Sequence, residues 1–212
     1  KIFNFVDLEE IQQSRLPSKS QLRTDENVLG IVGRLVPVKR MDLFIRTIAL
    51  LQDQGHAIRG KVIGSGPLEE ELKSLTKTLG IEDKIEFTGF VNPALREINQ
   101  LDVLVMPSDH EGLPMTLLEA VSLGIPVVAH NVGGIPEVLA GWPRGGLVDE
   151  QSAPAYAKAV LSILSQAPTS GTNSDQSPVD ITHPPGFLDK FGSQKNSQRY
   201  IRLYISLMRK SA

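Results

Sequence analysis

Between residues 28 and about 140, short runs rich in β-branched and other apolar residues alternate with longer amphipathic stretches, and this restricts the chain to few architectures. The apolar runs are VLGIVG (28–33), GKVIG (60–64), KIEFTGF (84–90), DVLVMP (102–107) and IPVVAH (125–130). Between them the spacing predicts helices over about 41–54, from Pro67 to Leu79, from Pro93, from Pro114 and, after the last run, from Pro136. Runs such as DVLVMP and PVVA are apolar throughout instead of alternating with polar residues, as expected of strands covered on both faces. The predicted fold class is therefore α/β, a Rossmann-like, doubly wound parallel sheet with right-handed crossovers. Proline at a helix's first turn, with the preceding residue pushed out of helical geometry, marks the starts at Pro67, Pro93 and Pro114.

Composition removes several function classes. The 22 Lys plus Arg nearly balance 24 Asp plus Glu, for a formal net charge of −2, so neither a general grip on nucleic acid nor a polybasic membrane anchor is expected. Any anion must be met locally. Cysteine is absent, which excludes disulfides, thiolate metal sites and a cysteine nucleophile, and fits a reducing, cytoplasmic setting. The longest apolar stretch, MTLLEAVSLGIPVVA, is broken by Glu119, Gly124 and Pro126, short of the ~18 continuous apolar residues of a spanning helix. The first residues, KIFNFVDLEEIQQSR, lack the zones of a signal peptide and begin with Lys, so the chain reads as cut from a longer protein.

Four segments are expected: an interdomain or crossover stretch at 1–27, the α/β domain at 28–165, a Ser-, Thr-, Pro- and Gly-rich loop at 166–186, and a C-terminal helix at 187–212. In an open parallel sheet, ligands bind beyond the carboxyl ends of the strands. After the first run, GRLVPVKRMD places Gly33, Arg34 and Lys39 just ahead of a helix, where free N–H groups and the helix dipole already favour a phosphate. The alternative is a solvated basic loop, in which Arg40 and Arg46 would serve as well. After the second run, Gly64 and Gly66 in GSGP permit close backbone approach to a ligand, although neither a GxGxxG nor a P-loop pattern is present.

The most specific segment is SDHEGLPMTLLEAVSLGIPVVAHNVGGIPEVL. Pro114 opens a helix, leaving Glu111 on the mouth loop and Glu119 inside the helix. Helical side chains lean toward the N-terminus, so both carboxylates are expected to face one cleft. Paired carboxylates suit the hydroxyls of sugar and ribose rings, and free N–H groups suit phosphate. Gly133 and Gly134, ahead of Pro136, offer a second glycine-rich helix mouth for an anion, with Glu137 serving the helix dipole. His130 is more cheaply read as a structural hydrogen-bonder than as a ligand. His56, His110 and His183 have no metal-binding spacing and no D-x-D pair occurs, so no metal or cofactor is expected, and charge neutralisation falls to Arg34 and Lys39.

Taken in order, GRLVPVKR, VIGSGP, FTGFV, DVLVMPSDHEGLPMTLLEAVSLGIPVVAHNVGGIPEVL and GLVDEQSAPAYAKAV resemble the C-terminal, nucleotide-sugar-binding domain of family 4 retaining glycosyltransferases, of GT-B architecture. The family's E-x7-E element is met by Glu111 and Glu119, and NFVD (4–7) resembles the segment by which such chains enter this second domain. The resemblance implies that Arg34 and Lys39 hold the donor diphosphate, with Gly33 allowing its approach. It implies that Glu119 binds the ribose and Glu111 the transferred sugar, with N–H groups around Gly112, Leu113, Pro114 and Met115 serving sugar and phosphate oxygens. Phe90 and Val91 would contact the base. Catalysis would involve Glu111, Arg34 and Lys39, with retention of anomeric configuration and no obligatory metal. The implied partners are a nucleotide sugar and an N-terminal acceptor-binding domain through which a membrane surface could be touched. The family's F-S-W-like stretch before the last helix reads FGSQ here. An epimerase of the same architecture, a non-catalytic nucleotide-binding module and a glycoside hydrolase using the carboxylate pair are the competing readings.

Overall fold

A computed structural model describes residues 26–166, 184 and 187–191. The chain alternates strand and helix as the sequence predicts: β1 (Asn27–Val32), a 3-10 turn (Pro37–Lys39), α1 (Met41–Asp53), β2 (Ile58–Ile63), α2 (Glu69–Thr78), β3 (Ile85–Gly89) and α3 (Leu95–Ile98). It continues through β4 (Val103–Met106), α4 (Met115–Leu123), β5 (Val127–His130), α5 (Ile135–Leu139), β6 (Gly145–Val148), α6 (Ala153–Ser165) and α7 (Phe187–Phe191). The strands form one parallel sheet in the order β3-β2-β1-β4-β5-β6. The sixth strand is an addition to the five apolar runs read from the sequence. Its Gly145 and Gly146 dilute the β-branched signal that marks the others.

Both faces of the sheet are covered. Along β4, Val103 and Val105 join a core with α1, α2 and α6, and the intervening Leu104 and Met106 join a second core with α3, α4, α5 and α7. That is why this strand is apolar at every position. On the first face Phe44, Ile45 and Ile48 of α1 meet Tyr156 and Val160 of α6; on the second, Phe187 and Phe191 of α7 pack with Trp142.

The prolines need correction. Pro114 is the N-cap of α4, with extended backbone, and the helix begins at Met115. Pro67 lies in a turn ahead of α2, and Pro93 lies in a bend after a cis Asn92–Pro93 peptide, ahead of α3. Proline's fixed φ suits positions just before a helix as well as its first turn, so the residue marks the neighbourhood and not the register. The expected segments at 1–27 and 166–186 and the F-S-W-like position lie almost wholly outside the described residues, as does the expected helix beyond Phe191.

Candidate functional site

The strand order reverses between β1 and β4: the chain leaves β1 for β2 and β3, then returns to place β4 on the other side of β1. At such a switch point the loops diverge and open a crevice beyond the strands' carboxyl ends. The β1–α1 loop carries Arg34 and Lys39 to this crevice, and the β4–α4 loop carries Glu111.

These two loops are joined across it. Lys39 Nζ donates to Glu111 Oε1 at 2.6 Å, and the Glu111 side chain is only 8% exposed. A carboxylate so buried needs a charged partner to offset its lost hydration, which Lys39 supplies. Glu111 is thus no solvated loop residue. Arg34 is exposed, and its guanidinium has no ion-pair partner among the described residues. The crevice therefore holds one cation already tied to a carboxylate and another open to solvent.

Around the Lys39–Glu111 pair lies a set of residues that the sequence reading did not single out. Arg40 is the non-glycine residue with positive φ among those described, at φ 51° and ψ 45°. Its N–H closes the 3-10 turn on the Pro37 carbonyl at 3.0 Å, and its own carbonyl accepts from Leu43 at 3.0 Å to open α1. The left-handed residue redirects the chain between two helical turns, at a cost of roughly 1–2 kcal/mol for an L-residue. Its guanidinium reaches Asp42 at 3.2 Å and Asp109 at 3.3 Å, and these carboxylates, Asp42 foremost, hold it more firmly protonated. The Asp109 N–H donates to the Val38 carbonyl at 2.9 Å, and Gln151, after β6, donates to Asp109 Oδ1 at 2.9 Å and to the Pro107 carbonyl at 3.1 Å. Beneath them on α6, the Tyr156 hydroxyl is buried and finds no hydrogen-bond partner among the described residues, and burial raises its pKa. In sequence Arg40 stands only as one more basic residue of GRLVPVKRMD, and nothing local marks its left-handed backbone or its ties to Asp109.

The glycines act differently from expectation. A Cβ on Gly64 (φ 139°) would lie 2.0 Å from the Gly33 carbonyl oxygen, and one on Gly66 would lie 2.6 Å from Leu35 N and O. Leu35 in turn donates to the Ser65 carbonyl at 3.1 Å and accepts from Leu68 at 3.2 Å. What approaches these two glycines closely is the neighbouring loop, held against them by backbone hydrogen bonds. Gly133 and Gly134 likewise seat the β5–α5 loop on the β4–α4 loop. A Cβ on Gly133 (φ 58°) would fall 1.8 Å from the Glu111 carbonyl oxygen, and the Gly134 N–H is taken by the Gly112 carbonyl at 2.7 Å. Of the second anion-binding mouth expected at these glycines, one N–H group is thus taken up by the Gly112 carbonyl of the β4–α4 loop.

Other expected residues fall as follows. Glu119 is half-buried in α4, between buried Leu118 and Ala120. Gly112 has open space where a side chain would stand, and Met115 at the start of α4 is exposed. Here the first N–H groups of the helix have no intrahelical acceptor. Phe90, just past β3, is 77% exposed, while Val91 packs partly against the second core. His130 Nδ1 donates to the Val148 carbonyl at 2.8 Å, bracing β5 to β6 as a structural hydrogen-bonder would. Among the described residues no cluster of three His, Asp or Glu side chains could hold a metal ion, and no helix is long and apolar enough to cross a membrane.

Comparison with known proteins adds the context. Residues 12–175 match the family model for glycosyl transferases group 1. The chain is 34% identical over 143 residues to amylovoran biosynthesis glycosyltransferase AmsK of Erwinia amylovora, an alignment covering 64% of this chain and 35% of AmsK. It is 33% identical over 153 residues to D-inositol 3-phosphate glycosyltransferase of Mycolicibacterium smegmatis, covering 69% of this chain and 35% of that protein. The chain thus spans about a third of the length of these curated relatives. Among solved structures, Alr3699/HepE of Anabaena in complex with UDP shares the fold at a TM-score of 0.75 and 20% identity, covering 97% of this chain and 57% of that one.

Proposed function

The chain belongs to the glycosyl transferases group 1 family, and on that premise we propose that it is the donor-binding half of a retaining glycosyltransferase. The protein would move a sugar from a nucleoside diphosphate sugar to an acceptor hydroxyl. The observation that carries this reading is the coupling of a nearly buried carboxylate, Glu111, to Lys39 at the switch point, beside the open cation Arg34. A module that only binds nucleotides has no use for a buried carboxylate next to its anion site, since the two repel. A glycoside hydrolase would not need the cations. A donor with a diphosphate at one end and a hydroxyl-rich ring at the other uses both.

In the reaction, the bond between the anomeric carbon and the diphosphate breaks, and negative charge develops on the departing phosphate oxygen. Arg34, Lys39 and the first N–H groups of α4 are the groups that would stabilise that charge in place. The ion pair does not exclude this role, because an ammonium has three donors and can bond Glu111 and a phosphate oxygen together. Glu111 would accept from the sugar hydroxyls, Glu119 from the ribose, and the exposed Phe90 with Val91 would meet the base. The UDP complex of Alr3699/HepE, a protein of the same fold, supports a nucleotide as the ligand class.

The test is a thermal-shift and calorimetric panel of UDP, GDP and ADP with and without their sugars, run in EDTA and again with Mg²⁺. Binding of one diphosphate series in EDTA is expected. Affinity that rises by orders of magnitude with the metal would remove Arg34 and Lys39 as its substitute. Glu111→Ala should weaken the sugar-bearing donor alone, and Glu119→Ala should weaken donor and diphosphate alike. Equal losses from Glu111→Ala for both ligands would end the division of roles.

A further inference from the structure

We propose that Asp109 is a positioning residue for the donor diphosphate, acting through Lys39; the inference rests on the reading of Lys39 given above. Both chain neighbours of Lys39 are attached to Asp109: Val38 through its carbonyl, which accepts the Asp109 N–H, and Arg40 through its guanidinium, which donates to Asp109 Oδ1. The same oxygen accepts from Gln151, which also holds the Pro107 carbonyl, so the β6–α6 connection braces the start of the β4–α4 loop. Two residues beyond Asp109 comes Glu111, which takes the Lys39 ammonium itself at 2.6 Å. Lys39 is therefore flanked by a backbone bond at Val38 and a side-chain ion pair at Arg40, and held at its tip by Glu111, all from one short segment of the opposite loop.

The arrangement has a reason in energetics. A lysine side chain has many rotamers, and holding its ammonium over one point in a crevice costs conformational entropy each time a ligand binds. Arg40 adds a left-handed backbone that the local sequence would otherwise relax. Fixing both before the ligand arrives places the charge where the diphosphate needs it without reorganisation. Asp109 does this although its own negative charge opposes an anion nearby. Geometry and electrostatics thus predict opposite signs for its removal, which makes the two separable.

The experiment uses the 212-residue chain and whichever of UDP, GDP and ADP binds most tightly, titrated against Asp109→Asn, Asp109→Ala, Lys39→Ala and the two doubles. Asn and Ala remove the same charge, but Asn keeps an oxygen for Arg40 and Gln151. Asp109→Asn is expected to bind within about twofold of wild type and Asp109→Ala about five- to tenfold more weakly than Asp109→Asn, a gap that closes to under about twofold in the Lys39→Ala background. If Asp109→Ala does not fold, Gln151→Ala carries the test. It is expected to weaken binding about two- to threefold, again only while Lys39 is present. Equal affinity of the Asn and Ala variants, or a gap that survives loss of Lys39, overturns the positioning role. Wild-type affinity in Lys39→Ala, or no binding of any of the three nucleotides, would instead overturn the phosphate reading, and this inference with it.

Discussion

Arg34 and Lys39 are alike in charge and opposite in surroundings, and substitution separates the consequences. Each one's replacement by Ala should weaken nucleoside diphosphate binding by about 1.5–3 kcal/mol, the range of a charge-assisted hydrogen bond. In the free protein they should differ. Lys39→Ala strands a carboxylate that is 8% exposed, and urea unfolding should show a loss of about 1–2 kcal/mol. Arg34→Ala, at an exposed position, should stay within about 0.5 kcal/mol. Equal stability of the two variants would mean that Glu111 is satisfied without Lys39. The sequence brought both residues to the crevice because they follow strands at its mouth. It could not pair Lys39 with Glu111, because that pairing joins positions 72 residues apart and depends on which strands lie side by side.

At the scale of elements, the β4–α4 loop is shaped by its neighbours more than by its own residues. Gly133→Ala would force a methyl group to within 1.8 Å of the Glu111 carbonyl in a backbone of φ 58°. A loss of at least about 2 kcal/mol in chemical denaturation is expected, together with weakened donor binding as the Glu111 peptide is displaced. Wild-type behaviour on both counts would show that the loop contact is dispensable. The α1–α6 contact offers a different prediction. Tyr156 is fully buried and its hydroxyl has no partner among the described residues, so Tyr156→Phe should be neutral or stabilising by up to about 1 kcal/mol. Burial raises the phenol's pKa in the folded state, whereas in the unfolded chain it ionises near its ordinary value of about 10. The wild type should therefore keep its full stability below about pH 10 and lose part of it as pH climbs further, relative to Tyr156→Phe. Parallel stability profiles for the two proteins would contradict this.

Among the described residues, the candidate site stands on the loops beyond the carboxyl ends of β1 and β4. On the reading proposed above, such a site binds tightly and excludes water only when a second wall closes over it. Since the chain spans about a third of its curated relatives, it should bind a nucleotide with an affinity on the order of micromolar to millimolar and transfer no sugar. Radiolabelled sugar nucleotides offered with a panel of acceptors would decide the matter. Sustained transfer would show that every catalytic group lies within these residues.

What the sequence by itself determined is whatever depends on local pattern. The apolar run of β4 foretold a strand buried on both faces, the amphipathic stretch at 41–54 foretold α1, and the order of strand and helix required a parallel sheet. The same pattern placed Arg34, Lys39 and Glu111 after strands, where ligands are met. Only the tertiary structure decided which loops would touch. Gly64 and Gly133 read as ligand-facing in sequence because glycine reports closeness without naming what comes close; folding answers with the Gly33 and Glu111 carbonyls. Asp109 and Gln151 were invisible for the same physical reason. Their hydrogen bonds run between the ends of strands that share no local sequence, and those ends meet only once β1, β4, β5 and β6 have taken their places in the sheet.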